Sequence, residues 1–249
     1  MQFSLALDQA PILPRIRTRL LACYGPQRDA VRLDPVGQLV LAIISARTRD
    51  EVSLQAFERL ARRYRPWSAL GRADPPAIEA IIRSVTYADV KAVHLPRALR
   101  LIEARTGSLD LAFLATWPEE KAMHWLEDLP GVGMRNAATT LNFSKLRKRT
   151  LSVGTHLLRV GERLGLLPPR TDYGRGYEIF MRLVPDAWEA DDLYEFHWLM
   201  KYHGQRVCMH AAPDCARCAL RDLCSAHGAS KSSGSPTIKR PLSPRDSGR

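Results

Sequence analysis

Cys208, Cys215, Cys218 and Cys224 fall within 17 residues, in the pattern C-x6-C-x2-C-x5-C. Thiolates are soft ligands, and four of them suit zinc or an iron–sulfur cluster. Structural zinc sites usually take their ligands as two close pairs separated by a longer span. This loop has one x2 pair only, so a compact wrap around the corners of a single cubane fits better. The first residues, MQFSLALDQA, lack a basic start followed by an apolar run, which makes the cytoplasm the expected compartment, or the nucleoid in a bacterium. In such a setting clustered cysteines point to metal rather than to disulfides. Cys23, the fifth, stands apart and reads as a core thiol.

A second motif concerns anions. Leu129-Pro130-Gly131-Val132-Gly133 separates an apolar helical stretch ending near Leu126 from the small-residue stretch MRNAATTL. Two glycines around one apolar residue allow a tight turn. They also leave N–H groups bare at a helix N-terminus, which suits a phosphate oxygen. Val132 would plug between the two helices. A plain helical turn is the alternative. Lys145 to Arg149 (KLRKR) puts Lys145, Arg147, Lys148 and Arg149 in five residues, read either as a solvated loop or as phosphate contacts. The whole chain carries a net charge of +11. The tail, 229–249, accounts for +4, which leaves +7 on the rest. That surplus favours a polyanion, most simply nucleic acid.

These residues need rigid supports, and the pattern of the chain is helical throughout. Ile12, Ile16 and Leu20 recur at helical spacing; Pro35 to Ser45 is apolar on all sides; Asp50 to Tyr64 is amphipathic. Pro75-Pro76 starts a short helix. Tyr87 to Arg105 continues in the same style up to Gly107, a C-cap, with a kink or a restart expected at Pro96. No sustained period-2 alternation occurs, so the expected fold class is all-α. The longest apolar run, Leu39 to Ile44, is far short of the roughly 20 residues of a membrane span. The tail is rich in Ser, Pro and cations and is expected to be disordered.

Four stretches together resemble the endonuclease III-like, helix-hairpin-helix DNA glycosylases that carry a [4Fe–4S] cluster. They are Ser45–Asp50 (SARTRD), Leu129–Gly133 (LPGVG), Val153–Val160 (VGTHLLRV), and His197 through Gly204 leading into the cysteine loop. The resemblance covers about residues 12–227. It implies two helical lobes with double-stranded DNA in the cleft and a monomer as the working form. One lobe, like a six-helix barrel, would span 34–145 and hold the hairpin. The other would combine 12–33 with 146–207, followed by the cluster loop 208–224. Leu129, Gly131, Val132 and Gly133 would then serve the hairpin's hold on DNA. The four clustered cysteines would hold a cluster that is structural rather than catalytic, with Arg206, Arg217 and Arg221 near phosphate.

The chain departs from the family where chemistry is done. The segment that normally reads V-D-T-H has Gly154 in place of the Asp whose carboxylate stabilises a cationic sugar. The Lys that attacks the sugar in bifunctional members corresponds to Arg135, whose guanidinium stays protonated and cannot act as that amine. Glu162 is eight residues on from Gly154, roughly 12 Å along a helix, too far to stand in. Asp50 is a candidate substitute acid near the cleft. Arg47 sits where many relatives have Gln, and Tyr87 falls near the loop that wedges into the opposite strand. Both could fill a gap or stack on bases, or be a surface Arg and a core-edge Tyr. Three functions follow: a DNA-binding member that recognises damaged or distorted DNA without the standard chemistry; a working monofunctional glycosylase with a relocated acid such as Asp50; or a redox or scaffold protein that uses the cluster without DNA.

Overall fold

The computed structural model describes residues 11–28 and 31–227; the basic tail lies outside the described residues. Among the described residues eleven α-helices follow one another: α1 (Ile12–Tyr24), α2 (Pro35–Ser45), α3 (Asp50–Arg63), α4 (Trp67–Gly71), α5 (Pro75–Ile82), α6 (Ala88–Thr106), α7 (Glu119–Glu127), α8 (Met134–Phe143), α9 (Thr155–Leu164), α10 (Tyr173–Leu183) and α11 (Ala190–Arg206). Two short 3-10 turns, Ala112–Thr116 and Arg221–Leu223, complete the order. No strand forms among the described residues; the one extended pairing is an isolated bridge, Leu33 to Ser144. No helix there is long and apolar enough to cross a membrane.

Proline and glycine punctuate the helices as their stereochemistry requires. Pro35 opens α2 behind Asp34, whose Oδ1 accepts from the Gly37 amide at 2.7 Å. Gly107 ends α6 at φ +76, its amide bonded to Glu103 O. Between these points α6 runs through Pro96 without a restart, its buried side chains continuing on both sides of the ring.

The buried apolar side chains fall into two clusters. The first is built on α2, whose Val36, Leu39, Val40, Ile43 and Ile44 are all buried, with α3 to α8 wrapped around it. The second joins Leu13, Ile16 and Leu20 of α1 to α9, α10 and α11. Cys23, expected inside, is exposed. The buried stripe of α1 ends at Leu20, and in the last turn Tyr24 takes over by packing edge-on to Tyr202, leaving Cys23 on the open side.

Polar clamps join the two clusters. Asn142 Nδ2, at the end of α8, donates to Ala190 O at 2.8 Å and to Lys148 O at 2.9 Å. Arg32 lies over the Tyr194 ring at 3.6 Å and pairs with Asp191 at 3.0 Å. The basic run belongs to this set. Lys148 Nζ donates to Trp117 O at 2.6 Å and to Ala115 O at 3.1 Å. Arg149 donates to Trp188 O at 2.8 Å and to Pro185 O at 3.0 Å, and Arg147 pairs with Asp191. Lys148 and Arg149 are therefore engaged by backbone carbonyls, while Arg147 keeps an exposed side chain beside Asp191. Lys145 is exposed.

Candidate functional site

A cleft of about 1010 Å³ opens between the two clusters. One wall is the α2–α3 turn, Ser45 to Asp50, together with the first turn of α8. The other is the first turn of α9 and the face of α11 from His197 to Arg206. A second hollow of about 400 Å³ adjoins it, and Asp50, Arg135, His197, Trp198 and Lys201 line both.

The hairpin stands at one edge. Leu129 and Val132 are buried in the first core, Val132 as the plug between α7 and α8. Gly131 has φ +78, and a Cβ there would come within 2.9 Å of His94, so both backbone and space call for glycine. Its carbonyl accepts from Asn136 Nδ2 at 3.1 Å. Gly133 is the N-cap of α8, exposed, with open space where a Cβ would stand and no side chain capping the helix. Its backbone is extended, so its value is access to the α8 amides rather than relief of strain.

Gly154 is the N-cap of α9, also without a capping side chain. A Cβ at this position would meet Arg135 Nε at 3.2 Å and Cζ at 3.7 Å. The Arg135 side chain thus leans from the first turn of α8 onto the first turn of α9. Its Nε is shut off from solvent and finds no hydrogen-bond partner. Burial pulls its pKa below the ordinary arginine value, with Tyr173 and Asp50 opposing.

Asp50 lies in the cleft at the start of α3, but its carboxylate is not free: Oδ1 accepts from Lys201 Nζ at 2.8 Å. Lys201 is buried, its ammonium 4.4 Å from the centre of the Trp198 ring. Burial lowers its pKa, against the pull of Asp50. Glu162 lies outside the cleft lining and accepts from the Thr171 amide at 2.9 Å. His197 Nδ1 donates to Ser152 O at 2.6 Å, and burial holds the ring neutral well below the usual histidine range. His156 is also pushed down, by burial and then by Arg159 and Lys201.

Arg47 and Tyr87 are brought together at the rim. Both are exposed, both have positive φ (57° and 58°), and the guanidinium lies 5.9 Å from the Tyr87 ring centre. The two turns are tied by Thr48, whose Oγ1 accepts from the Thr86 amide at 3.2 Å. Lys91 supports them from below. Its buried ammonium donates to Ile44 O at 2.9 Å and Ala46 O at 2.6 Å, capping the C-terminal end of α2.

Lys91 and Lys201 were not legible as site residues. Each is a single lysine in an amphipathic helix, where the ordinary reading is a solvated face. Arg206 does line the cleft, and stacks on Tyr202 at 4.7 Å. Arg217 instead pairs with Asp214 at 3.0 Å, and Arg221 bonds His227 at 2.7 Å.

The cysteine loop is fastened to the second core through Cys208, Cys218 and Cys224, and none of the four is in a disulfide. Arg163 donates to Cys208 Sγ at 3.2 Å, and Arg159 donates to Cys208 O at 3.0 Å. Burial raises the Cys218 thiol pKa. The neighbouring Cys208, Cys224 and Cys215 raise it further, and an amide bond from Leu220 opposes them. Four thiols near one another, with the Arg163 guanidinium at Cys208 Sγ, have the chemistry of iron–sulfur ligands, but among the described residues no three of them are gathered closely enough to hold a metal ion.

No protein-family model matches the chain. Curated relatives do. The endonuclease III of Synechocystis is 32% identical over 198 residues, which are 79% of this chain and 83% of that protein. The chain belongs to the endonuclease III family. The Escherichia coli endonuclease III is 27% identical over 191 residues, 76% of this chain and 83% of the relative. Among solved structures, a non-covalent endonuclease III–DNA complex superposes with TM-score 0.74 at 20% identity, covering 89% of this chain and 98% of that one. A thermostable thymine-DNA glycosylase superposes with TM-score 0.70 at 18% identity, covering 88% and 95%. These likenesses place the endonuclease III fold on the helical frame described above.

Proposed function

We propose that this chain binds double-stranded DNA through the cleft and recognises damaged or distorted sites without the family's standard base-removal chemistry. One observation carries the reading: at the meeting of α8 and α9 there is a guanidinium leaning over a glycine, with no carboxylate and no free amine. A cation at that point opposes the positive charge that a sugar gains as its base departs. The supports for DNA are in place. The α8 amides behind Gly133 suit a phosphate, Arg206 extends the cationic rim, and Arg47 with Tyr87 offers a planar pair to occupy the gap left by a flipped base. The relatives named for action on DNA, including a solved complex with it, support this assignment. It would place the protein on the chromosome.

A second reading, a monofunctional glycosylase with Asp50 as the acid, has Asp50's position in the cleft in its favour. The Lys201 ion pair works against it, since a carboxylate held by an ammonium at 2.8 Å has little charge left to lend a cationic sugar. We further propose that Cys208, Cys215, Cys218 and Cys224 hold a [4Fe–4S] cluster. When bound, the cluster would pin the loop and its basic neighbours to α9 and α11. Iron and sulfide analysis of anaerobically purified protein should give about four of each per chain, and Cys218→Ser should lose them.

The deciding experiment is single-turnover base release on a panel of damaged duplexes, run beside equilibrium binding across a salt series. The proposal expects tighter binding to damaged than to intact duplex, log affinity falling linearly with log salt, and no released base. Release of a base by the native protein, lost in Asp50→Asn, would establish the second reading instead. Binding that is absent, or indifferent to salt, would refute both.

A further inference from the structure

Three observations meet at the centre of the cleft. The first turns of α8 and α9, each a helix of 10 residues, both open there; neither has a capping side chain, and neither has an acidic residue in its first turn. Such termini carry partial positive charge and unpaired N–H groups. Between them lies Arg135, with Nε buried and unpartnered, over a glycine that supplies no side chain. Arg135 makes no ion pair among the described residues; the nearby carboxylate, Asp50, is taken by Lys201. The remaining titratable neighbours do not supply an anion. Burial keeps His156 and His197 neutral. A half-buried cation set against two positive helix ends is unfavourable in isolation. It becomes favourable when an anion with several acceptor oxygens sits among them.

We propose that the cleft centre is a phosphate-binding site, formed by Arg135 and the first-turn amides of α8 and α9, which takes the terminal phosphate of a broken DNA strand. This rests on the DNA-binding reading above and specifies its ligand. A phosphomonoester brings close to two negative charges and three free oxygens at neutral pH. It also ends the chain, so it can approach the open end of the Arg135 guanidinium head-on. A backbone phosphodiester must enter and leave, and suits the exposed amides at Gly133. Gly154 is then part of the device: any side chain there would press on Arg135 and cover the α9 amides.

The test is affinity for nicked duplexes that differ only at the break, with a 5′-phosphate, a 3′-phosphate or hydroxyls on both sides, at fixed salt. One phosphate-bearing end should bind about tenfold more tightly than the hydroxyl-ended nick, the effect of about 1.4 kcal/mol. Inorganic phosphate at constant ionic strength should erase that difference. In Arg135→Met the ratio of the two affinities should fall to about one. Gly154→Asp, which would supply an internal anion, should do the same. If Arg135→Met does not fold, the native protein's preference and its competition by phosphate still decide. Equal affinity for phosphate and hydroxyl ends, or a preference that survives both substitutions, overturns the proposal. A melting temperature raised by inorganic phosphate in a protein that binds no duplex would make free phosphate the ligand, and would overturn both the strand-end assignment and the DNA-binding reading. A protein that binds intact and nicked duplexes equally overturns the strand end and leaves the DNA-binding reading standing.

Discussion

Gly154→Asp should stabilise the protein and, on the proposed reading, leave it without base release. A Cβ at 154 stands 3.2 Å from Arg135 Nε, 3.7 Å from Cζ and 3.8 Å from Nη2, so an aspartate carboxylate one bond further out lands on the guanidinium. It would satisfy the buried Nε that now lacks a partner. A hydrogen bond to a charged group is worth about 1.5–3 kcal/mol. Aspartate is also a better N-cap than glycine by a few tenths, and a carboxylate at a helix N-terminus adds roughly 0.3–1 kcal/mol. Desolvating the carboxylate opposes these terms. So does the small retreat of Arg135 that the 3.2 Å contact requires. The net gain should be about 2 kcal/mol over Gly154→Ala, the variant that adds the Cβ alone.

For a chain of this size, about 2 kcal/mol corresponds to roughly 4–8 °C in melting temperature. A double-mutant cycle of Gly154→Asp with Arg135→Met should return a coupling of about 2 kcal/mol. The same ion pair cancels the charge that a departing base would need, so the single substitution should release nothing. Release is expected only when Arg135 is replaced as well and the carboxylate is left free. Gly154→Asp no more stable than Gly154→Ala, or base release by Gly154→Asp alone, would refute the reasoning.

Gly131→Ala should cost at least about 2 kcal/mol, through positive φ and the 2.9 Å approach to His94. Gly133→Ala should leave stability within about 0.5 kcal/mol while weakening DNA affinity; the reverse pattern in denaturation and binding curves would sink the assignment of roles. Asp50→Asn should destabilise by about 2–3 kcal/mol because it strands the buried Lys201 ammonium. Lys201→Met should cost less, since the carboxylate it leaves behind is 38% exposed and water can solvate it. Acidification should unfold the protein early. His203 is buried and its pKa is pushed down to about 4, and His197 is lowered as well. Between pH 6.5 and 4 the unfolded chain therefore binds protons that the native chain refuses, and stability falls as pH falls. A urea midpoint that stays flat between pH 7 and pH 5 would contradict it.

The helical frame was readable because its causes are local. Apolar residues at helical spacing mark α1 and α3, and Pro35 and Pro75 open helices. Gly107 closes one where a left-handed residue is needed. The hairpin was readable for the same reason, since Gly131 and Val132 act within five residues. Functions that depend on distant partners were not readable. Lys148 and Arg149 have the composition of an anion site, yet their acceptors are carbonyls at 115, 117, 185 and 188. Lys201 and Asp50 are 151 positions apart, and nothing in either neighbourhood announces the other. Arg135 and Gly154 could each be seen to differ from the family, but not that one side chain occupies the other's space.

That last contact changes what the two replacements mean. On the proposed reading, each taken singly removes a catalytic group. Taken together, on that reading, they give the cleft centre a half-buried cation and two uncapped helix ends in place of a negative charge. An arginine beside a retained aspartate would form a neutral pair, and a glycine beside a lysine would leave a free amine; neither would produce the orphaned Nε found here. The pair of residues therefore behaves as one unit whose missing partner is an anion. In a DNA-binding cleft the anion at hand is phosphate. The departure from the family's chemistry and the identity of the proposed ligand follow from the same 3.2 Å approach between Arg135 Nε and the place of the absent side chain at 154.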